Sequence, residues 1–417
     1  MGFDTVVIGG GIAGLSAGYF SKGKTLILEK SDFLGGRVYS VPVANNNFIE
    51  LGAQFFSDED PHIYSLVKQL KITDKLSPVS LNDFFVLKED GSFAHLTNEN
   101  YNGIDSNAKK ELAKFFDTIS NFDMSVLNNP PKELIDENFE KWYKSNIGEN
   151  SYWLVYGMVR AITFSVPTEI SAIYGLIVCS TFFGKCFTFK GGLISLINKL
   201  EKSQNSTISL NSEVSHCEFV DNNIKFIDYY KSGKDLRLNT KNSKVISALP
   251  ANVAQSIFDC VDLKRKFSLV DYHGCYVKVY KFENRVLDYN AGVLISDPKI
   301  PVSVVINEPN YYNFSSKNGI IAILMPYKVD TKNSTKLSKK ADDVLSFLGG
   351  SNNKGLISSS EFFWDQGLPI FNKNLFNLQK ELKKFTVNSN FKISGDFMGL
   401  PSLDASVESA YYSAKDT

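Results

Sequence analysis

Phe3 to Ile8, then Gly9-Gly10-Gly11-Ile12-Ala13-Gly14, Leu15 to Lys22, Thr25 to Leu28 and Glu29 make up the stretch that decides the fold. It reads as a strand, a glycine turn, a helix, a second strand and an acid. Gly9, Gly11 and Gly14 fall where a dinucleotide-binding unit needs a tight turn, close approach of backbone to a pyrophosphate, and close packing of helix on strand. The helix N-terminus, at Ile12 and Ala13, turns N–H groups and the positive end of its dipole towards phosphate. Glu29, about twenty residues after Gly9, is placed to accept from a ribose hydroxyl, with Lys30 next to it.

The 417 residues have room for two or three domains, or for one interleaved with another. Forty-five basic and forty-five acidic side chains cancel, so no global field recruits nucleic acid or anionic lipid, and the expected partner is a small molecule. The cysteines, at 179, 186, 217, 260 and 275, form no CxxC pair, and no histidines cluster. That pattern supports neither a disulfide framework nor a metal site and suits a reducing cytoplasm. No basic, then apolar, leader precedes the first strand. The longest uncharged run, Ile170 to Gly184, is shorter than a bilayer span and reads as a buried core helix, the other reading being a helix that dips into a membrane face. Asn205 and Asn333 head Asn-Ser-Thr triplets, read as chance in an Asn-rich chain.

Strand-turn-helix character returns twice. Gly191-Gly192 introduces a helix over Leu193 to Lys202, followed by strand-like segments at Ser206 to Leu210, His216 to Val220, Ile224 to Tyr229 and Lys244 to Ala248. Near the end, Lys392 to Asp396 reads as a strand and Ser402 to Ala414 as a helix. Residues 60–150 read as mostly helical, with apolar spacing in Ile63 to Leu70 and Lys110 to Ile119. Residues 270–325 read as strands, clearest at Tyr276 to Phe282, Pro301 to Ile306 and Ile320 to Met325. The expected class is α/β: a Rossmann-like domain from 1–57, 186–262 and 375–417, with an α+β substrate domain inserted as 58–185 and 263–374.

Further motifs follow the opening one. Gly35-Gly36-Arg37 lets backbone approach a cofactor while a guanidinium meets phosphate oxygens. Glu50-Leu51-Gly52-Ala53-Gln54 comes next. Gly395-Asp396 and Pro401-Ser402-Leu403-Asp404-Ala405-Ser406-Val407-Glu408-Ser409 place a carboxylate at a strand end and then a helix N-terminus. A nicotinamide-dependent dehydrogenase would need only the N-terminal motif and leaves these unexplained.

In this order, the set resembles the flavin-containing amine oxidase superfamily, which includes monoamine and polyamine oxidases, protoporphyrinogen oxidases and phytoene-type desaturases. The resemblance implies FAD, with Glu29 on the adenosine ribose, Arg37 near the pyrophosphate, and Gly52, Ala53 and Gln54 close to the isoalloxazine. Val214 would offer its backbone to adenine, Gly395-Asp396 would hold the ribityl chain, and Leu403 and Ser406 would lie at the ring end. Some members tether FAD through a cysteine just before the C-terminal flavin motif. No cysteine follows Cys275, so noncovalent FAD is expected.

A flavin takes hydride from a carbon held over its ring while protein positions the substrate. The Gly274-x-x-x-Lys278 spacing resembles that of amine oxidases, in which a lysine holds a water against flavin N5; a solvated lysine on an edge strand is the other reading. Amine oxidases place a tyrosine where Ser402 stands. Trp364 to Phe371 looks like the Trp-x-x-x-Leu-Pro segment of the protoporphyrinogen oxidase and desaturase branch. Expected, then, is an FAD-dependent oxidase or dehydrogenase acting on an amine or on an apolar cyclic or polyene substrate, with a non-catalytic flavin-bearing binding protein as the alternative of another class.

Overall fold

Two short runs, β1 (Thr5–Ile8) and β2 (Thr25–Leu28), are buried at every residue, as strands of a parallel sheet covered on both faces must be. They form a five-stranded parallel sheet with β10 (Thr207–Ser209), β14 (Lys244–Ser247) and β20 (Phe391–Ile393), in the order β10-β2-β1-β14-β20. In the central register Thr5 lies beside Lys244 on one side and Thr25 on the other. The computed structural model describes residues 2–43, 47–95, 104–122, 129–287, 289–350 and 355–415. These divide into a first unit, Met1–Leu76, Phe189–Asp271 and Asn374–Thr417, and a second, Ser77–Thr188 and Tyr272–Lys373.

In the first unit α1 (Ile12–Phe20) packs against α8 (Ile194–Lys202) and α14 (Leu403–Ala414). β3 (Ser40–Pro42) and β4 (Phe48–Glu50) form a short antiparallel pair, followed by β5 (Phe56–Ser57) and α2 (Pro61–Gln69). β11 (Ser212–Val220), β12 (Asn223–Lys231) and β13 (Lys234–Asn239) make an antiparallel sheet, and α9 (Ala251–Ile257), α10 (Val261–Phe267) and α13 (Lys373–Phe385) complete the unit. The sequence expectation ends the first segment at residue 57, but α2 also lies in this unit because α14 packs on it. The expected strand to Asp396 stops at Ile393; Gly395, at φ 149°, turns the chain into a 3-10 turn over Asp396–Met398.

The second unit is built on a seven-stranded sheet of order β19-β15-β18-β17-β16-β7-β8. Its strands are β7 (Phe84–Leu87), β8 (Phe93–His95), β15 (Tyr272–Phe282), β16 (Gly292–Ile295), β17 (Val304–Asn307), β18 (Gly319–Tyr327) and β19 (Leu356–Pro369). Only β7 and β16 pair in parallel. α12 (Ser334–Leu345) covers one face, where Ala341, Val344 and Leu345 join Tyr276, Tyr280, Ile323 and Met325 in one buried cluster. The remaining helices are α3 (Ser106–Ser120), α4 (Lys132–Asp136), α5 (Phe139–Asn146), α6 (Tyr152–Thr163), α7 (Ala172–Thr181) and α11 (Glu308–Tyr311); strands β6 (Leu76–Val79) and β9 (Cys186–Phe189) lie at segment ends.

Residues 60–150 are thus less helical than their composition suggests. Phe84-Phe85-Val86-Leu87 is too short a run to show a period, and it takes its conformation from β16. β17 begins at Val304 rather than Pro301, which has no N–H to give a ladder. The Ile170 to Gly184 run holds α7, ten residues long and mostly buried. Among the described residues no helix is long and apolar enough to cross a membrane.

Candidate cofactor site

The opening turn is shaped by two glycines with different demands. At Gly9, φ is 106°, a conformation that L side chains rarely adopt, and its amide donates to Leu28 O at 2.8 Å. A Cβ on Gly14 would stand 1.8 Å from Gly9 O, so helix and strand approach this closely only with glycine there. Gly11 is required by neither effect. Its φ is −72°, and a Cβ on it would meet only Gly35 O at 3.8 Å and Gly36 Cα at 3.9 Å. Among the described residues no side chain is recorded capping α1, which begins at Ile12 and Ala13. A glycine that the protein itself does not need, at an uncapped helix N-terminus, fits a phosphate group that must come close to backbone.

Glu29 closes the far side of this turn. Its Oε2 accepts from Gly10 N at 2.6 Å and its Oε1 from Ser31 N at 2.8 Å. A carboxylate has about four lone-pair sites, so these two bonds fix its position and leave acceptor capacity for hydroxyls. Lys30 is exposed, and Val214 is half-buried at an irregularity in the β11 and β12 pairing.

The Gly35-Gly36-Arg37 segment lies directly against the turn, with Gly35 N donating to Gly10 O at 2.9 Å. Arg37 O in turn accepts from Ala53 N at 2.9 Å, which ties in the Gly52-Ala53-Gln54 segment. Gln54 Nε2 donates to Glu50 O and Gly52 O at 3.1 and 3.0 Å, so its side chain stabilises its own loop. Arg37 also makes two parallel bonds to Asp396, at 2.7 and 2.9 Å. Two residues expected on different parts of the cofactor are therefore partners, and the guanidinium, with five donors, has more than Asp396 uses. Gly395 N donates to Ser409 Oγ at 2.9 Å, anchoring the Gly395-Asp396 corner on α14, the helix that carries Leu403 and the buried Ser406. All the residues expected at the cofactor thus lie in the first unit.

Some working residues are invisible in the motif reading. Glu50, fully buried, accepts from Leu193 N at 2.7 Å and from Ser40 Oγ at 2.7 Å, while Ser40 Oγ accepts from Ile194 N at 3.0 Å. The acid at the head of the Glu50 to Gln54 motif is a cap for α8. The signal available in the sequence was the Gly191-Gly192 pair, which cannot cap a helix with a side chain.

Lys278, the residue expected at flavin N5, is bonded within its own unit. It lies in the second unit, 5% exposed, with Nζ donating to Ser338 Oγ at 2.8 Å and Asp342 Oδ1 at 2.7 Å; the Glu361 carboxylate stands 3.7 Å away as an ion-pair partner. Ser338 and Asp342 belong to α12, so the ammonium points at the helix that covers this sheet face. The face shared with Trp364 and Phe362 carries Cys275, Val277 and Val279 instead. Trp364 to Pro369 is the end of β19, an edge strand, whose pairing with β15 shifts register between His273 and Cys275.

Among the described residues no group of three or more His, Cys, Asp or Glu is arranged to hold a metal ion, and all five cysteines are free thiols. Comparison with known proteins agrees with this geometry. A model of the flavin containing amine oxidoreductases matches residues 12–345. A probable flavin-containing monoamine oxidase A of Dictyostelium discoideum is 28% identical over 189 residues, 42% of this chain and 40% of that protein. The flavin-containing amine oxidase A of the horse, Equus caballus, is 22% identical over 343 residues, 73% of this chain and 62% of that one, so the match spans less than two thirds of either relative. The structure of a putrescine oxidase bound to putrescine shares the fold, with a TM-score of 0.74 at 14% identity, covering 99% of this chain and 98% of the other. The chain belongs to the flavin containing amine oxidoreductase family, whose characteristic cofactor is FAD.

Proposed function

We propose that the protein is an FAD-dependent oxidoreductase that takes hydride from an amine, or from an apolar cyclic or polyene substrate, onto noncovalently held FAD. The observation that carries this reading is Gly11, a glycine at an uncapped helix N-terminus that neither backbone conformation nor packing requires. When bound, FAD supplies the redox chemistry as a two-electron acceptor. The chain's own residues bind and orient it. Backbone at Gly9, Gly11, Ile12, Ala13 and Gly14 takes the pyrophosphate with Gly36 and Arg37. Glu29 takes the adenosine ribose, flanked by Lys30, and Val214 meets adenine. Gly395 and Asp396 take the ribityl chain. Gly52, Ala53, Gln54, Leu403 and Ser406 border the ring. The buried Lys278 pair is assigned to stability. The absence of cysteine after Cys275 supports noncovalent attachment, and the free thiols suit a reducing cytoplasm.

A second reading, carbon-carbon dehydrogenation of the protoporphyrinogen oxidase or desaturase type, is favoured by Ser402 in place of a tyrosine and by the Trp364 to Pro369 segment. Anaerobic bleaching of the purified yellow protein with a panel of amines, a porphyrinogen and a polyene separates the two. Protein purified without flavin overturns both, and flavin that stays on the acid-denatured chain overturns noncovalent attachment. Bound flavin that no substrate reduces favours a non-catalytic flavin-binding protein.

A further inference from the structure

The first unit holds a cluster of titratable groups that the cofactor assignment leaves unused. Asp60 closes the turn after β5, a short distance along the chain from Gln54, and accepts from Ser57 N at 2.6 Å. His62 and Ile63 open α2, and both amides donate to one oxygen of Asp404, each at 2.7 Å. The second Asp404 oxygen lies 3.0 Å from His62 Nδ1, and Glu408, one turn further along α14, lies 3.9 Å from Nε2. One carboxylate in the first turn of α14 thus holds the N-terminus of α2. That same stretch of α14 bears Leu403 and Ser406.

Burial pushes the Asp60 carboxyl up to about 7, with Asp404, Glu59 and Asp58 raising it further against the pull of the Ser57 amide. His62 is raised above its ordinary value, first by its bond to Asp404 and then by the Asp404 and Glu408 charges, against its own burial. Asp58 and Glu59 act from the turn and Asp404 and Glu408 from α14. On α2 itself Lys68 lies at the far end, 4.5 Å from the centre of the Tyr64 ring, and Tyr412 of α14 stands edge-on to His62.

We propose that Asp60, His62 and Asp404 are positioning residues that couple the protonation of this cluster to the grip of residues 52–54 and 403–406 on the flavin. The inference rests on the reading that those two segments border the flavin ring. As pH rises through about 7, Asp60 becomes an anion near Asp404, while His62, raised above its ordinary value by its bond to Asp404, holds its proton to higher pH than a free imidazole does. Loss of either proton makes the cluster more negative, and like charges then work against the contact between α2 and α14. By linkage, FAD binding raises the affinity of Asp60 for its proton by the same factor that protonation raises the affinity for FAD.

The test is dilution of the full-length holoprotein between about pH 6 and about pH 8.5, with released flavin read by its fluorescence. For the wild type, the Kd for FAD rises about tenfold across that range, the equivalent of one pKa unit of coupling. Asp60→Asn keeps an acceptor for the Ser57 amide but does not titrate, and its Kd keeps only the smaller part of the pH dependence that His62 supplies. His62→Gln reduces the amplitude and serves as the second variant if Asp60→Asn fails to fold. A wild-type Kd that does not change with pH overturns the inference and leaves the flavin site standing; so does a slope in Asp60→Asn as steep as that of the wild type. Full-length protein that carries no flavin at any pH overturns the FAD reading itself, and the inference with it.

Discussion

Two charged pairs divide the burial of their partners in opposite ways. In the first unit the Asp396 side chain is 5% exposed and its partner Arg37 30%. In the second, the Lys278 side chain is 6% exposed and that of Asp342 53%. The first unit buries the carboxylate and turns part of a guanidinium towards solvent; the second buries the cation and leaves the carboxylate in water. A planar guanidinium carries five donors, more than one carboxylate takes. An ammonium already bonded to Ser338 and Asp342 belongs to its own core. Both cations stand in motifs of the right spacing, and only their surroundings separate a cation suited to a ligand from one suited to holding a helix on a sheet.

The contrast breaks first at the turn on which the Arg37 segment rests. Gly14→Ala puts a methyl group 1.8 Å from Gly9 O, a backbone atom that cannot step aside. It is expected to cost about 3 kcal/mol or more and to yield protein without flavin colour, read by thermal melting and the visible spectrum. Retained colour at wild-type Tm would show that the approach of helix to strand is not what makes the site.

Next in size is Arg37→Ala, which strands Asp396 as a buried, unpaired anion. Breaking a fully buried pair costs about 3–5 kcal/mol; with Arg37 partly in water, about 1–3 kcal/mol is expected, with weaker FAD retention. Arg37→Lys recovers charge without the fork and only part of the affinity. An Arg37→Ala protein that loses stability but keeps full FAD affinity would make the two pairs alike.

The smallest effect belongs to Lys278→Met. Asp342 remains hydrated, and an apolar side chain of similar length fills the space against α12. The change costs less than about 1 kcal/mol and alters the rate of flavin reduction by less than about twofold. A drop of about tenfold, or about 1.4 kcal/mol of barrier, would return Lys278 to the chemistry and dissolve the contrast.

What the sequence made legible was the chemistry of backbone close to itself. Gly9 and Gly14 announce their turn because only glycine fits there, and Glu29 reaches Gly10 across one strand-turn-helix unit. The facing of Lys278 was not legible, since a strand has two faces and a register shift beside Gly274 moves neighbours from one to the other. Nor was the role of Glu50, because its partner Leu193 lies far along the chain. β13, Lys-Asp-Leu-Arg-Leu-Asn, escaped notice because it is largely solvent-exposed and only Leu236 and Leu238 alternate in it, too short a pattern to mark a strand.

The central place of β1 bears on the order of assembly. It leaves the ribosome before the other strands of its sheet, yet one of its neighbours is β14, at Lys244–Ser247, and β20 closes the sheet only at Phe391–Ile393. Contacts this distant in sequence repay their loop-closure entropy late, so the unit is expected to fold slowly and after most of the chain has been made. Until then β1 and β2 form an apolar ribbon with an open edge, a template for pairing with other chains. The strand that carries the glycine turn is thus also the segment most exposed to aggregation during synthesis, and a chain truncated before Phe391 should accumulate in the insoluble fraction.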